Sequence, residues 1–233
     1  ASPTPGTVFK NSIIMPLHLS ESAGAAPGHI QCFDIVTGKL DVRHIEIAAP
    51  GIDLAAILGL DDAVVVEICA EAAEDQVVSA VNFNSPGQVV IAGNKAAVDR
   101  AMELCKAKGA KRALPLAVSV PSHCALMKPA AERFADSVNA IEWKAPQIPV
   151  VQNVTAAVAA DLDALKHDLL AQLYQPVRWV ECVQTLAAEG AVQLVECGPG
   201  KVLAGLNKRC ADGVTTYNLN TPDAVAATRA ALA

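Results

Sequence analysis

Apolar positions between residues 52 and 116 switch between the spacing of a strand and the spacing of a helix. Strands are predicted at 52–58, 77–82, 88–92 and 111–116, and helices at 62–73 and 95–108. Residues 83–87, Phe-Asn-Ser-Pro-Gly, have the composition of a hairpin turn. The resulting element order, βαββαβ, predicts a ferredoxin-like subdomain over residues 51–116.

The chain after residue 116 alternates again between apolar runs with strand-like and helix-like spacing. Helices are predicted at 124–140, 164–173 and 176–189 and in the Ala-rich end of the sequence, and strands at 148–153, 192–196 and 215–219. This alternation predicts a parallel sheet, so residues 117–233 are assigned to a large α/β domain. Residues 1–50 form an atypical segment that Gly and Pro interrupt repeatedly, and strands, turns or poorly ordered chain are predicted there.

The composition narrows the class of protein. Hydrophobic residues make up 52% of the 233 residues and aromatic residues only 3%, which predicts a core of Ala, Val, Leu and Ile. The net charge of −6 argues against nucleic acid as the main partner. No apolar run reaches the roughly 18–20 residues of a transmembrane helix, and no signal peptide is evident, so no membrane partner is predicted.

Seven cysteines are spread along the chain, without a CxxC pair or a cluster with histidine. No metal site is therefore predicted. The apolar neighbours of these cysteines predict reduced, buried thiols in a reducing compartment. We expect a cytoplasmic location, or a plastid stroma or mitochondrial matrix in a eukaryote.

The leading candidate for chemistry is His123. It follows an apolar run and a Pro-Ser turn, and it precedes a predicted helix. An imidazole with an ordinary pKa of ~6.5 can accept a proton near neutral pH, so one interpretation is a general base. The other interpretation is a histidine that caps the helix or hydrogen bonds within the core. Cys124 would point about 100° away on a helix start, and we predict a small buried thiol there.

Two turns carry further polar groups. Residues 198–201, Gly-Pro-Gly-Lys, follow a predicted strand and open a helix, but they are too short for a P-loop. A tight turn is predicted there, with phosphate binding as the alternative. Residues 82–88 are dense in amide groups, which can bind a ligand near His123 or serve only as a turn. The residues alone leave both choices open.

Several stretches of the chain resemble bacterial-type malonyl-CoA:acyl carrier protein transacylases. They are AAILGLDD at 55–62, NFNSPGQVVIAG at 82–93, AKRALPLAVSVPSHCALM at 110–127, QLYQPVRW at 172–179 and GPGKVL at 198–203. The resemblance implies a partial α/β-hydrolase-like parallel sheet domain with an inserted ferredoxin-like subdomain. It also implies transfer of malonyl from CoA to the phosphopantetheine thiol of acyl carrier protein through a serine ester, without a cofactor.

The resemblance assigns expected roles to five residues. His123 corresponds to the family's catalytic base, and Gln172 to the residue whose backbone orients that histidine in place of an aspartate. Asn153 corresponds to a position near the substrate pocket. Asn82 and Asn84 correspond to a subdomain loop that faces CoA or the carrier arm.

The nucleophile is the part of the family pattern that residues 1–50 do not match, because they contain no GQGSQ, no GHSxGE and no Arg-Gly pair. Ser20 is the candidate nucleophile, although Leu19 and Glu21 are larger than a nucleophile turn favours. Arg43 is the candidate partner of the malonyl carboxylate. Three functions stay open: a malonyltransferase, a catalytically inactive module that binds the carrier protein, and an enzyme that transfers a neutral acyl group or hydrolyses the thioester.

Overall fold

The structure is a computed structural model that describes residues 51–117 and 120–233, together with the backbone of three two-residue strands nearer the N-terminus. The elements are β1 (Ile13–Ile14), β2 (Cys32–Phe33), β3 (Leu40–Asp41), β4 (Ile52–Leu58), α1 (Asp62–Ala73), β5 (Val78–Ser85), β6 (Gln88–Asn94), α2 (Lys95–Ala107), β7 (Arg112–Leu116), a 3₁₀ turn (Ala125–Met127), α3 (Lys128–Asn139), β8 (Val150–Val151), α4 (Leu162–Ala171), α5 (Trp179–Ala188), β9 (Gln193–Glu196), α6 (Val202–Cys210), β10 (Thr215–Asn218) and α7 (Pro222–Leu232).

Strands β4 to β7 form one four-stranded antiparallel sheet in the order β5-β6-β4-β7. This order and the intervening helices α1 and α2 are those of a ferredoxin-like subdomain, as predicted. Successive side chains of a strand point to opposite faces, and the alternate residues of β4 and β6 pack with the two helices. That cluster includes Ala55, Ile57, Val89 and Ile91, all at most 1% exposed.

The opposite face of the same sheet is also apolar. Leu54, Val81, Val90 and Ala92 form a second cluster there together with Cys124. The sheet is therefore buried on both faces, and its second face supports the segment that carries His123. This contact explains why the strands read as nearly continuous apolar runs rather than as strict alternation.

The hairpin between β5 and β6 is tighter than the sequence predicted. Strand β5 continues through Ser85, so Phe83 and Asn84 lie in the strand, and only Pro86 and Gly87 form the turn. Gly87 has a φ of +70°, and its N–H donates to the Asp62 carboxylate at 3.2 Å. The predicted turn at 83–87 was wrong in its extent because pairing with β6 extends the strand.

The remaining strands are short and pair two by two among the helices. Strand β1 pairs with β8, and β9 pairs with β10, both parallel, whereas β2 and β3 are antiparallel. Helix α5 begins at Trp179, not at Pro176 as predicted, because Val177 is held in an extended bridge to β5. The predicted strand at 148–153 shortens to Val150–Val151.

The described cysteines follow the prediction with one exception. Five are buried: Cys69, Cys105, Cys124, Cys182 and Cys210. Cys197 is exposed, so the prediction of a buried thiol was wrong there, because the residue directly follows β9 in a surface turn. Within the described residues, no helix combines the length and the apolar character needed to cross a bilayer.

Candidate active site

His123 lies in the turn that leads from the ferredoxin-like sheet to α3. Its backbone has a φ of +67°, a left-handed conformation that is uncommon for residues other than glycine. Two backbone hydrogen bonds accompany this conformation. The N–H of His123 donates to the Leu173 carbonyl at 2.9 Å, and the N–H of Ser122 donates to the Val120 carbonyl at 2.8 Å. The turn therefore fixes the direction in which the imidazole leaves the backbone.

The imidazole of His123 is hydrogen bonded at one nitrogen. Its Nδ1 lies 2.5 Å from the carbonyl oxygen of Gln172. A carbonyl only accepts, so Nδ1 carries the proton and Nε2 keeps its lone pair in the neutral ring. No described residue hydrogen bonds Nε2. The arrangement suits a general base that uses Nε2.

The surroundings of His123 also set its charge. The residue is 8% exposed. Burial lowers the pKa of His123 below its ordinary value, and the hydrogen bond to the Gln172 carbonyl opposes this only in part. The imidazole is therefore neutral at pH 7 and available to accept a proton. Because Gln172 directly follows α4, its carbonyl lies at the negative end of the helix dipole, which stabilises the imidazolium that forms on protonation.

Gln172 is positioned by its own helix. Asp161 caps α4 by accepting a hydrogen bond from Ala164 N at 2.8 Å, and the helix ends at Ala171. The N–H of Gln172 donates to the Asp168 carbonyl at 3.0 Å, which continues the helical pattern by one residue. The structure thus brings the side chain of His123 and the backbone carbonyl of Gln172 together.

Asn153 lies beside Gln172. Its Nδ2 donates to the Gln172 side-chain oxygen at 3.3 Å, and both residues are buried, at 3% and 4% exposure. The sequence reasoning placed Asn153 near the substrate pocket but did not detect this contact. No local pattern could have shown it, since 19 positions separate the two residues.

Arg178 is a residue near the site to which the sequence analysis gave no role. Its guanidinium donates from Nη1 to the carbonyl of Thr155 at 3.1 Å and to that of Val154 at 3.4 Å. It also forms a bidentate ion pair with Glu181 on α5. The only sequence signal was the stretch QPVRW, which the resemblance included without giving the arginine a role.

Asn82 and Asn84 lie on β5, the edge strand of the ferredoxin-like sheet. Backbone hydrogen bonds join this edge to the segment after Gln172, since Val177 N donates to Val81 O and Phe83 N donates to Val177 O, both at 2.9 Å. The backbone of Asn84 accepts a hydrogen bond from the Cys210 thiol. Neither asparagine side chain hydrogen bonds His123. Their predicted role toward CoA or the carrier stays a prediction.

The remaining candidates are Cys124, residues 198–201, Ser20 and Arg43. Cys124 donates to the Pro121 carbonyl at 3.2 Å, and burial raises the pKa of its thiol, so it is a buried thiol as expected. Residues 198–201 form a strand-to-helix turn in which Glu196 accepts from the N–H of Ala204. Ser20 and Arg43 lie outside the described residues. Across residues 51–117 and 120–233, no His, Cys, Asp and Glu side chains cluster in a way that could hold a metal ion.

Comparisons with known protein families agree with this arrangement. The family model described as "Acyl transferase domain" matches residues 44–212, which include His123, Asn153 and Gln172. The chain therefore belongs to the acyl transferase domain family.

Curated relatives share the name malonyl CoA-acyl carrier protein transacylase. The protein from Escherichia coli strain K12 is 59% identical over 174 residues, which cover 75% of this chain and 56% of the relative. The protein from Staphylococcus aureus strain COL is 41% identical over 169 residues, which cover 72% of this chain and 55% of the relative. The chain thus spans little more than half the length of these relatives.

Solved structures give the same fold. A malonyl-CoA:acyl carrier protein transacylase from Xanthomonas oryzae matches with a TM-score of 0.77 and 50% identity, covering 79% of this chain and 59% of that chain. A type II polyketide synthase acyl carrier protein in complex with its malonyl-transacylase matches with a TM-score of 0.75 and 50% identity, covering 77% of this chain and 58% of that chain. These similarities confirm the predicted fold, an α/β-hydrolase-like core with a ferredoxin-like subdomain.

Proposed function

We propose that this chain is an acyltransferase that moves a malonyl group from CoA to the phosphopantetheine thiol of acyl carrier protein. The observation that carries the proposal is the hydrogen bond from His123 Nδ1 to the Gln172 carbonyl, because it leaves Nε2 as a base. Similarity to malonyl transacylases supports the choice of malonyl and of the carrier protein as substrates. No cofactor is needed, since the thioester is already activated. Buried thiols suit the cytoplasmic location that we propose.

The chemistry requires two acyl transfers with one histidine. Nε2 of His123 takes the proton of a serine hydroxyl while the oxygen attacks the malonyl thioester carbon. The carbon–sulfur bond then breaks, and the imidazolium returns the proton to the CoA thiolate. In the second half, His123 takes the proton of the carrier thiol, and the sulfur attacks the carbonyl carbon of the serine ester. The ester carbon–oxygen bond then breaks, and the imidazolium returns the proton to the serine oxygen. Backbone N–H groups would hold the oxyanion in each half.

The serine is the open part of this proposal. Ser20 is the candidate from the sequence, and Arg43 is the candidate partner of the malonyl carboxylate. A guanidinium can bind a carboxylate through two parallel hydrogen bonds, which would select malonyl over a neutral acyl group. Competition between acetyl-CoA and malonyl-CoA tests that selectivity, and removal of the malonyl preference in Arg43→Ala would assign it to Arg43.

The experiment that tests the transfer is intact-protein mass spectrometry after incubation with malonyl-CoA. We expect a gain of one malonyl group, and peptide mapping then identifies the serine. His123→Ala should abolish the gain. The matched control is His167→Ala, since the His167 side chain is 71% exposed on α4 and its described ion-pair partner is Asp168. Full acylation of His123→Ala would overturn the role of the histidine.

A second function is favoured by the completeness of the ferredoxin-like sheet and by the similarity to a transacylase solved with a carrier protein. In this function the chain binds the carrier protein without catalysis. Holo acyl carrier protein would then bind in a titration, while malonyl-CoA would leave the mass of the protein unchanged. A covalent malonyl ester excludes this second function.

A further inference from the structure

The residue that holds His123 is itself held at both ends of its side chain. The Gln172 Oε1 atom accepts from Asn153 Nδ2 at 3.3 Å, and the Gln172 Nε2 atom donates to the Leu169 carbonyl at 3.3 Å. With both ends of the amide engaged, Gln172 has little freedom to rotate. Its backbone carbonyl, which accepts from His123, is therefore fixed through the side chain as well as through α4.

The loop that carries Asn153 is fixed in turn by Arg178. The peptide N–H of Arg178 donates to the Asn153 carbonyl at 3.0 Å, and its guanidinium donates to the carbonyls of Val154 and Thr155. Three successive carbonyls of one loop thus bind a single arginine. Glu181 holds the guanidinium from α5, so the arginine is itself oriented.

A second connection joins this loop to α4. The Thr155 hydroxyl donates to the Asp168 carboxylate at 3.3 Å, and Asp168 lies one helical turn before Gln172. The loop and the end of the helix are therefore connected at two points, through Asn153 and through Thr155. A shift of the loop would move the end of α4 and the carbonyl that His123 requires.

We propose that Asn153 is a positioning residue for His123, which it orients through Gln172, and that Arg178 holds Asn153 in place. Only the effect on catalysis rests on the acyltransferase function proposed above. The hydrogen bond from the Asn153 amide to the Gln172 side chain supports this positioning role. Hydrogen bonds prefer a donor angle above about 150° and weaken steeply below about 120°, so a rotation that bends the bond this far weakens the contact that fixes the imidazole tautomer.

The test observes the imidazole directly and needs no activity. Nitrogen-15 NMR reports which ring nitrogen of His123 carries the proton and the pH at which the ring titrates, and a His123→Asn sample identifies its signals. In the unchanged protein we expect the Nδ1–H tautomer. In Asn153→Ala and in Gln172→Ala, which keeps the backbone carbonyl, we expect a mixture of tautomers and a lower pKa, because the carbonyl contact raises the pKa.

The matched control is Gln152→Ala. Gln152 neighbours Asn153 and is 9% exposed, but its amide donates to the Val150 carbonyl and does not contact Gln172. The control should keep the tautomer of the unchanged protein. An unchanged tautomer in folded Asn153→Ala would overturn the proposal, as would an equal change in Gln152→Ala. If Asn153→Ala does not fold, Gln172→Ala decides between the same outcomes.

Kinetics adds a second measurement when malonyl transfer is present. A positioning residue should lower kcat on the order of tenfold and leave the KM for malonyl-CoA within about twofold. A substrate-binding residue would raise KM instead, and that result in Asn153→Ala would overturn the positioning role. A chain without any transfer would refute the acyltransferase function, while the NMR result would still decide the role of Asn153.

Discussion

The backbone nitrogen of His123 lies 2.9 Å from the carbonyl oxygen of Leu173, to which its N–H donates. This hydrogen bond closes a turn in which His123 has a φ of +67°. The next hydrogen bond, from the imidazole to Gln172, uses the neighbouring carbonyl of the same segment. Two adjacent carbonyls at the end of α4 therefore hold both the backbone and the ring of one histidine. The orientation of His123 therefore depends both on the end of α4 and on the turn that carries the histidine.

The pH dependence of stability should report the buried imidazole. Because the pKa of His123 is lowered in the folded protein, the unfolded chain binds a proton that the folded protein binds only at lower pH. The neutral imidazole therefore keeps its full contribution to the free energy of unfolding above about pH 6.5, the ordinary pKa. This contribution is lost as the pH falls from there toward the pKa of His123 in the folded protein. Urea unfolding at several pH values should show this loss.

The matched variant for that measurement is His123→Asn, since asparagine tolerates a left-handed backbone. The other ionisable side chains are the same in both proteins. Between pH 7.5 and pH 5.5, which lie on either side of a histidine pKa of roughly 6.5, the variant should therefore lose less free energy of unfolding than the unchanged protein. Equal losses in the two proteins would show that His123 is not protected from protonation.

The bridge between β5 and the site segment can be tested with Val177→Pro. Proline removes the N–H that donates to the Val81 carbonyl, and Val81 is fully buried. A buried carbonyl without its partner costs about 1–3 kcal/mol in free energy of unfolding. Val177→Ala keeps the N–H and serves as the control for the lost side chain. If both variants unfold at the same urea concentration, the hydrogen bond from Val177 to Val81 contributes nothing to stability.

Substitution of alanine for either of two glycines should change the stability in opposite directions. A Cβ added at Gly93 would lie 2.0 Å from the Val77 carbonyl oxygen, whereas a Cβ at Gly205 on α6 would meet nothing within 4 Å. Gly93→Ala should therefore lose at least about 1–3 kcal/mol through overpacking. Gly205→Ala should gain about 0.5–1 kcal/mol because alanine favours a helix. Thermal unfolding of both variants measures the two effects, and a neutral Gly93→Ala would contradict the close backbone approach.

The sequence predicted the ferredoxin-like elements well because their signals are local. Strand β4 has the predicted bounds, and α2 begins at the predicted Lys95 and ends one residue before the predicted Lys108. Helix α5 was predicted three residues too early, since Pro176 resembles a helix start. The backbone bonds of Val177 to β5 prevent that start, and they join positions almost one hundred residues apart.

The contacts within the candidate site could not be predicted from local sequence patterns. His123 stood out by its position, but its partner Gln172 lies 49 positions later, and only the family resemblance connected them. The supporting contacts of Asn153 and Arg178 depend on the path of a loop that no periodicity describes. The tertiary fold brings together residues that are this far apart in the sequence, so their hydrogen bonds cannot be predicted from the local patterns of a single sequence.

The described cysteines should differ sharply in reactivity. Burial raises the pKa of the Cys69 and Cys182 thiols to about 12, so almost no thiolate forms at neutral pH. Cys197 is exposed in the turn after β9. Brief alkylation of the native protein with iodoacetamide at pH 8, followed by peptide mapping, should therefore modify Cys197 and leave Cys69 and Cys182 unmodified. Alkylation in urea should modify all three, which confirms that the fold provides the protection. Modification of Cys69 or Cys182 as fast as Cys197 in the native protein would contradict the buried positions of these thiols.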